Sequence, residues 1–497
     1  MNIARWVERS ADLQADRPAF IFEEGETSYE NFNRRIRCAA ALLEQRFSIQ
    51  QGDRVAFLGE NSPDMLVLLF ACARLGATFV PLNWRLALPE HLYVLKNSGS
   101  TVLFCERGFL EGINSIKGCL NDICITSLDD QFEVLLEEMV DEPGEEMHDG
   151  GSTPLLIVYT SGTTGQPKGA VLTHDALVCN AENSISMHQM EPEDIIFTNL
   201  PMYHVGGLNI QTLPALSIGA TVILHRRFDL EETVKVINES RPTLMILVPA
   251  LMMALMQHRT WSELDFSSLR AITTGSTVVP VSLIDAYQGR GVPVIQVYGS
   301  TETSPIAIHQ TIAESWTSRG SVGSSAPLCD AKILDARGNT MGLEEKGEIV
   351  VRGANLFTGY WDDPDGTAEV LKDGWFYTGD IGHRDQSGWY FIDDRIKDVI
   401  ISGSENIYPA ELERILDLSS DLAESAVVGR SDKKWGEVPV VFIVPAEGVS
   451  VTHDVILGLF DGKIARFKQP RDVIFVSKLP RNAMGKVLKF KLREMLC

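Results

Sequence analysis

Apolar and polar residues follow two alternating periods along the first part of the chain. Helical spacing over 28–43 precedes a strand-like run at 53–58, and the same exchange continues with a helix at 65–75, a strand at 77–82, a helix at 89–96 and a strand at 101–105. Strands that alternate with helices form parallel sheets through crossover connections. The pattern therefore predicts an α/β fold for the large N-terminal part of the chain.

The same alternation continues to about residue 300 and then changes twice. Further strands are predicted at 155–158, 194–200, 221–224, 244–247, 271–273 and 292–297, with a helix that Thr173 begins and another at 250–257. Short strand-like segments with Gly and Asp turns predict a small β subdomain at about 319–393. Strands at 425–428, 438–444 and 473–476 with a helix at 455–466 predict a C-terminal α+β domain.

Length supports this division into several folding units. At about 150 residues per domain, a chain of 497 residues forms roughly three units. We expect an N-terminal domain of stacked αβ layers over 1–396, which includes the β subdomain, and a C-terminal domain over 397–497. The acidic stretch 141–151 has the composition of a linker between two layers of the large domain.

The charge balance limits the partners that the chain can bind. Lys and Arg number 44 against 67 Asp and Glu, which gives a net charge of -23. A field of this sign repels nucleic acid and anionic membranes, so nucleic acid is not expected as a partner. An anionic ligand must therefore be bound through local positive charge and a metal ion.

Cysteine use and hydropathy predict a cytoplasmic protein. The eight cysteines are scattered, with no CxxC pair and no histidine at metal-ligand spacing, which is typical of reduced thiols. The first residues contain no apolar targeting region, and no apolar stretch of 18 residues occurs, so no transmembrane segment is expected. The sequence is compatible with a homodimer but does not specify one.

A glycine- and hydroxyl-rich loop at 159–169 carries the clearest chemical signal, and its sequence is YTSGTTGQPKG. Its glycines allow several backbone N–H groups to point inward, its four Ser and Thr hydroxyls add donors, and Lys168 adds a positive charge, which together suit a polyphosphate. A Walker A loop is excluded, because Lys168 follows a proline and precedes a strand. The segment predicts a nucleotide site of another kind.

This loop resembles the phosphate loop of the adenylate-forming enzymes, which include acyl- and aryl-CoA synthetases, firefly luciferase and the adenylation domains of nonribosomal peptide synthetases. Further motifs follow in the family's order from near residue 25 to the C-terminus. The resemblance implies a large N-terminal domain, a small mobile C-terminal domain, and ATP, Mg²⁺ and coenzyme A as ligands.

Most of the implied site residues would bind ATP or AMP. By resemblance they are Thr160, Ser161, Gly162, Thr163, Thr164, Gly165 and Lys168 of the phosphate loop, the small-residue turn Thr274, Gly275 and Ser276, then Tyr298 and Gly299, Thr301, Asp380 for the ribose, and Arg395. The turn at 274–276 departs from the usual Gly-Gly-Ala of the family but keeps its small volume.

Three residues are predicted to act in catalysis. A carboxylate at the carboxyl end of a parallel strand suits a Mg²⁺ ligand, and Glu302 occupies such a place. The resemblance implies the same role for Glu302, places His204 beside the carboxylate pocket and makes Lys486, in the mobile loop 480–486, the cation of adenylation. The acyl pocket is expected at His204, Gly275, Pro305 and Ile306.

The run 394–400, with four charged residues, resembles the family's hinge, with Lys397 as the pivot. Gly403 and Ser404 would belong to the loop that meets coenzyme A after rotation. This position usually carries two glycines, so Ser404 can narrow or re-route the pantetheine tunnel.

The motif around His204 also predicts the type of acid. Adenylation domains for amino acids place an aspartate in this region to pair with the ammonium, and residues 201–208 contain no acid. A plain carboxylic acid is favoured, since burying an unpaired ammonium costs several kcal/mol. We expect an acid–CoA ligase for a fatty or aryl-alkenoic acid. The alternatives are an enzyme that loads a carrier protein and a nucleotide-binding regulatory protein with a decayed site.

Overall fold

The computed structural model describes residues 1–120, 123–139, 147–160, 167–276, 279–402, 405–433, 435–461, 463–464, 466, 468–482 and 485–496. The predicted α/β fold class is confirmed, with a large N-terminal domain and a small C-terminal domain. The predicted linker at 141–151 lies mostly outside the described residues. No helix in the described part of the chain is long and apolar enough to cross a membrane.

The strands among the described residues belong to four sheets. In chain order they are β1 Pro18–Phe22, β2 Gly25–Ser28, β3 Arg54–Leu58, β4 Thr78–Pro81, β5 Val102–Cys105, β6 Cys124–Ser127, β7 Pro154–Thr160, β8 Lys168–Thr173, β9 Ile195–Thr198, β10 Thr221–Leu224, β11 Leu244–Ile246, β12 Ala271–Gly275, β13 Val294–Tyr298, β14 Ile308–His309, β15 Ser324–Ser325, β16 Cys329–Leu334, β17 Gly347–Gly353, β18 Gly359–Tyr360, β19 Leu371–Lys372, β20 Trp375–Arg384, β21 Tyr390–Arg395, β22 Ile400–Ser402, β23 Glu405–Ile407, β24 Leu422–Asp432, β25 Gly436–Pro445 and β26 Asp472–Phe475.

The helices connect these strands and cover the sheets. In chain order they are α1 Ala4–Leu13, α2 Tyr29–Phe47, α3 Pro63–Leu75, α4 Leu88–Ser98, α5 Arg107–Ile116, α6 Glu133–Glu137, α7 His174–His188, α8 Val205–Gly207, α9 Leu213–Ile218, α10 Leu230–Lys235, α11 Pro249–Met256, α12 Val281–Gln288, α13 Ile312–Ser315, α14 Pro364–Val370, α15 Pro409–Leu416, α16 His453–Gly458 and α17 Lys489–Glu494.

Two large sheets form the N-terminal domain. As far as the described residues extend, one has nine strands in the order β15-β14-β13-β12-β11-β9-β10-β1-β2, and the other has seven in the order β18-β8-β7-β4-β3-β5-β6. The central pairs are parallel, which requires helical cover on both faces. The alternation of strands and helices predicted from the sequence is confirmed in this region.

Helix α3 lies in the core that both sheets share. Ser62 caps its first turn, Pro63 occupies its first position, and Gly76 ends it with a φ of 69°. All residues at 65–73 are at most 2% exposed, and they belong to one cluster with Phe20 of β1 and Phe57 of β3. A helix that is apolar on every side must be buried, so α3 holds the two layers together.

The β subdomain and the C-terminal domain have their own sheets. Strands β16, β17, β20, β19 and β21 form an antiparallel sheet in the predicted region, which also contains the unpredicted helix α14. Strands β22 to β26 form the C-terminal sheet. The helix predicted at 455–466 is wrong in length, because α16 ends at Gly458 and turns follow it. The domain boundary at residues 396 and 397 stays a prediction.

An ion pair between the half-buried Arg270 and the buried Asp194 joins two loops of the nine-stranded sheet. Arg270 donates two hydrogen bonds to the carboxylate of Asp194, with N–O distances of 2.8 and 2.5 Å. Burial would raise the pKa of Asp194, but the guanidinium and further hydrogen bonds hold that pKa below its ordinary value. The charged form of Asp194 is therefore stabilised by its partner.

We expect Arg270→Met to lower the free energy of unfolding by about 3 kcal/mol at neutral pH, because it leaves a buried carboxylate without its cation. The contribution of Asp194 is present above its unfolded pKa, so the difference from wild type should shrink as the pH falls and the carboxylate is protonated. Urea unfolding at several pH values measures this. Arg241→Met, in an exposed pair with Asp265, is the control and should change little.

Candidate nucleotide and acid site

Two neighbouring strand ends bring predicted nucleotide residues together. Strand β12 ends at Gly275 and its parallel neighbour β13 ends at Tyr298, while β7 of the other large sheet ends at Thr160. Ligands bind beyond the carboxyl ends of such strands. A Cβ on Gly275 would lie 2.5 Å from the Val297 carbonyl oxygen, so this close approach requires glycine. Thr274 is buried beside it, and Ser276 is exposed with a φ of 70°.

Asp380 joins the strand end at Tyr298 to the segment before the hinge. The Tyr298 hydroxyl donates to Asp380 Oδ2 at 2.8 Å, and Arg395 Nε contacts Oδ1 at 2.6 Å. Burial and the charge of Asp380 raise the pKa of Tyr298 well above its ordinary value, so its hydroxyl remains a donor. The carboxylate is thus held in one orientation, with lone pairs left for further donors such as ribose hydroxyls.

The turn after Tyr298 is tightly constrained. A Cβ on Gly299 would lie 1.8 Å from the Pro305 carbonyl oxygen, so the two ends of the turn approach each other closely. Thr301 begins a single helical turn that buries Glu302, and the Ile306 N–H donates to Asn180 Oδ1 at 3.0 Å. Pro305 and Ile306 are buried, and their place in the acyl pocket stays a prediction.

Lys168 lies at the base of the phosphate hairpin, paired in register with Thr160. Its ammonium lies 2.8 Å from Asp363 Oδ2 and 5.0 Å from the centre of the Tyr360 ring. Ser161, Gly162, Thr163, Thr164 and Gly165, which were predicted to bind phosphate, lie outside the described residues.

Glu302 has the chemistry of a Mg²⁺ ligand. Its Oε1 accepts a hydrogen bond of 2.8 Å from the Tyr360 hydroxyl, and within the described residues no hydrogen bond reaches Oε2. In the same residues, no three His, Cys, Asp or Glu side chains converge on a metal site. A single carboxylate oxygen together with substrate phosphates is the kind of ligand set that Mg²⁺ accepts, so the residues fit this ion.

His204 precedes the short helix α8, and its ring lies 4.6 Å from that of Tyr203. Burial, assisted by the charge of Arg85, lowers the pKa of His204 to about 4, so the ring is neutral near pH 7. Asn180 links the segment after His204 to the predicted pocket wall, because it donates to the Asn209 carbonyl and accepts from Ile306.

Lys486, predicted to be the cation of adenylation, lies close enough to Arg395 and Asp380 for their charges to act on it. Desolvation and the positive charge of Arg395 lower the pKa of Lys486 to about 8, although the residue as a whole remains accessible to solvent. Asp380 is also close enough to act on its charge. A Cβ on Gly485 would lie 3.9 Å from that of Ala250, so the loop reaches α11 of the N-terminal domain.

The predicted hinge is held by the last helix. Arg493 of α17 contacts Asp398 Oδ1 at 2.5 Å and donates to the Lys397 carbonyl at 3.4 Å. Burial lowers the pKa of Lys397, whose charge lies among those of Asp398, Arg395 and Arg493. Gly403 and Ser404, predicted to meet coenzyme A, lie outside the described residues.

Two contacts in the site were not predicted, those of Tyr360 and Asp363. The sequence offered a weak signal for them, an aromatic pair followed by Asp-Asp-Pro at 360–364, inside a region interpreted only as β strands. Their partners, Glu302 and Lys168, are distant in the sequence, so local patterns could not connect them.

Comparison with known proteins identifies both parts of the chain. Residues 7–361 match the model of the AMP-binding enzyme family, and residues 411–486 match that of the AMP-binding enzyme C-terminal domain. The chain is 47% identical to an indoleacetate–CoA ligase of Aromatoleum aromaticum, over 100% of this chain and 98% of the relative.

Other relatives extend over almost the same length. A feruloyl-CoA synthase of Amycolatopsis is 36% identical over 99% of both chains, and a long-chain-fatty-acid–CoA ligase of Mycobacterium tuberculosis is 36% identical over 92% of this chain and 90% of its own.

Solved structures agree in fold. ATP-bound MatB from Rhodopseudomonas palustris, 31% identical, covers 100% of this chain and 99% of its own with a TM-score of 0.93. Apo MatB, with the same coverage of both chains, has a lower TM-score of 0.82. On this evidence the chain belongs to the AMP-binding, adenylate-forming enzyme family.

Proposed function

We propose that this chain is an ATP-dependent ligase that activates an aromatic carboxylic acid as acyl-AMP and transfers the acyl group to coenzyme A. The observation that carries the proposal is the convergence of Lys486, from the C-terminal domain, on the Asp380–Arg395 pair of the nucleotide region. Such a cation, between a carboxylate and a phosphate, is what acid activation needs.

An aromatic acid is favoured by the relatives. The indoleacetate ligase shares more identity with this chain than the feruloyl or long-chain-fatty-acid enzymes do, and two of these three names specify an aryl acid. Both arylacetates and aryl-alkenoates belong to this class. Fatty acids, which the sequence also allowed, are the second candidate because of the long-chain relative.

ATP would bind across the strand ends. In this assignment Tyr298 stacks on adenine, Asp380 accepts from the ribose hydroxyls, and Arg395 contacts ribose and phosphate. Lys168 would exchange part of its contact with Asp363 for the polyphosphate, which is a stronger anion. When bound on Glu302 Oε2, Mg²⁺ would neutralise phosphate charge.

Adenylation then requires two anions to meet. The carboxylate oxygen of the acid attacks the α-phosphorus, a new P–O bond forms, and pyrophosphate leaves with the electrons of the broken bond. Lys486 bridges carboxylate and α-phosphate and offsets their repulsion. Neutral His204 borders the carboxylate without adding a charge, since its pKa is about 4.

Thioester formation is assigned to a second arrangement of the domains. The C-terminal domain rotates about Lys397, withdraws Lys486 and brings Gly403 and Ser404 towards the acyl-adenylate. The coenzyme A thiolate attacks the acyl carbon, and AMP leaves. The greater similarity to ATP-bound than to apo MatB supports assigning the described arrangement to the first step. Cytoplasmic location and a homodimer stay predictions.

The direct test is AMP release with ATP, Mg²⁺ and coenzyme A across indole-3-acetate, phenylacetate, hydroxycinnamates and straight-chain acids. We expect turnover to require coenzyme A and to be highest with an aryl acid. Lys486→Ala should reduce it by about a hundredfold or more, because a preorganised charge is lost. Lys478→Ala, elsewhere in the C-terminal domain, is the matched control and should have little effect.

Three outcomes would redirect the proposal. Highest turnover with straight-chain acids would favour the fatty-acid candidate. Pyrophosphate exchange with no dependence on coenzyme A would favour a carrier protein as acceptor, and Ser404→Gly would then be the variant to examine. No ATP-dependent activity with any acid would favour the nucleotide-binding regulatory protein.

The pH dependence of acyl-AMP formation tests the role of Lys486 separately. Because only the ammonium form can bridge two anions, kcat/KM for ATP should fall as the pH rises through about 8, the lowered pKa of this group. Lys486→Arg should lose this alkaline decline, since a guanidinium remains protonated. An identical decline in the arginine variant would contradict the assignment.

A further inference from the structure

The segment 355–363, which we call the strap, holds the turn that contains Glu302. Asn355 Nδ2 donates to the carbonyls of Thr303 and Ile306, at 2.7 and 3.0 Å. The Phe357 N–H donates to the Glu302 carbonyl at 2.8 Å. Both sides of the turn are therefore fixed to one stretch of backbone.

The other end of the strap is fixed to the phosphate hairpin. Strand β18 pairs with β8, and the backbone N–H of Trp361 donates to the Gly169 carbonyl at 2.7 Å. Asp363 then contacts Lys168 and caps α14 through the Gly366 N–H. The strap thus joins the backbone of the metal-ligand turn to that of the phosphate loop.

Tyr360 makes this connection through its side chain. Its hydroxyl donates to Glu302 Oε1 at 2.8 Å, the Lys168 ammonium lies 5.0 Å from its ring centre, and its ring packs edge-on against Phe357 at 5.0 Å. A phenol hydroxyl can donate, whereas a carboxylate oxygen only accepts. The hydrogen bond therefore runs only from tyrosine to carboxylate.

We propose that Tyr360 is a positioning residue that holds Glu302 with Oε2 turned towards the metal–nucleotide complex. In this role Tyr360 also keeps Oε2 in a fixed position relative to Lys168. This inference rests on the proposed function, because it concerns binding of the metal complex of ATP. In this role Tyr360 makes no contact with substrate.

Removing the Tyr360 hydroxyl should weaken binding of the metal complex of ATP but not binding of free ATP. Loss of the hydroxyl frees the carboxylate to rotate, and partners that orient a metal ligand typically contribute about 10- to 100-fold to metal affinity. The phenylalanine ring would still pack against Phe357 and under Lys168. Binding of metal-free ATP, which does not use Glu302 as a ligand, should therefore remain unchanged.

The test compares ATP affinities with Mg²⁺ and in EDTA by calorimetry, with the carboxylic acid omitted so that no turnover occurs. For Tyr360→Phe we expect the affinity for Mg²⁺-ATP to fall about tenfold and that for free ATP to change less than twofold. Tyr377→Phe, a half-buried tyrosine of β20, is the matched control and should keep the wild-type ratio of the two affinities. An equal loss in both affinities, or an unchanged ratio, would overturn the inference.

A double-mutant cycle separates positioning from general damage. If Tyr360 acts through Glu302, Glu302→Gln should already change the ratio of the affinities for Mg²⁺-ATP and free ATP. Adding Tyr360→Phe to that protein should then change this ratio no further. Additive effects would overturn the inference even if the single variant lost metal preference. A wild-type protein that binds no ATP would instead contradict the proposed function and, with it, this role. Normal binding with an unchanged ratio in Tyr360→Phe contradicts only the role of Tyr360.

Discussion

The carboxylate of Asp380 connects the parts of the molecule that must cooperate. One oxygen accepts from Tyr298 at the end of β13, and the other contacts Arg395 at the end of β21, within the predicted hinge run. The predicted nucleotide residues and the predicted hinge are therefore joined by a single buried side chain. In the proposed mechanism, a change in the orientation of Arg395 would affect both nucleotide binding and domain position.

The acidic charge balance of the chain explains why the predicted site contains several cations. The chain has a net charge of -23, so an anionic ligand must be held by cations gathered locally. Desolvation is the largest cause of the lowered pKa of Lys486, and the positive charges of Arg395 and Lys397 lie close enough to lower it further. This repulsion makes the cluster less favourable without an anion. In the proposed mechanism, the cluster is assembled for adenylation and opened for thioester formation.

Much of the architecture could be predicted because local patterns were strong. The apolar run of α3 and the strand–helix alternation around it indicate parallel sheet, and α3 is indeed buried on all sides. The helix predicted at 455–466 was too long because α16 ends at Gly458, although apolar spacing continues beyond it. Helix α14 was missed, since its Pro, Asp and Gly residues are typical of turns.

Within the site, the sequence indicated the residues whose chemistry is evident, such as Lys168, Glu302 and Asp380. It could not indicate that Tyr360 bonds Glu302, because these residues are separated by 58 positions and an aromatic residue in a β region usually signifies packing. Nor could it predict the lowered pKa of Lys486, which arises from desolvation and from charges distant in the sequence, such as that of Arg395. Contacts between distant segments determine both properties.

The central claim is that the carboxylate of the acid attacks the α-phosphorus of ATP before coenzyme A reacts. A carboxylic acid labelled with heavy oxygen in its carboxylate tests this most directly, with AMP from the complete reaction analysed by mass spectrometry. The proposed route predicts one labelled oxygen in each AMP, because the bridging oxygen of acyl-AMP leaves with the phosphate. AMP without label would contradict an acyl-adenylate intermediate.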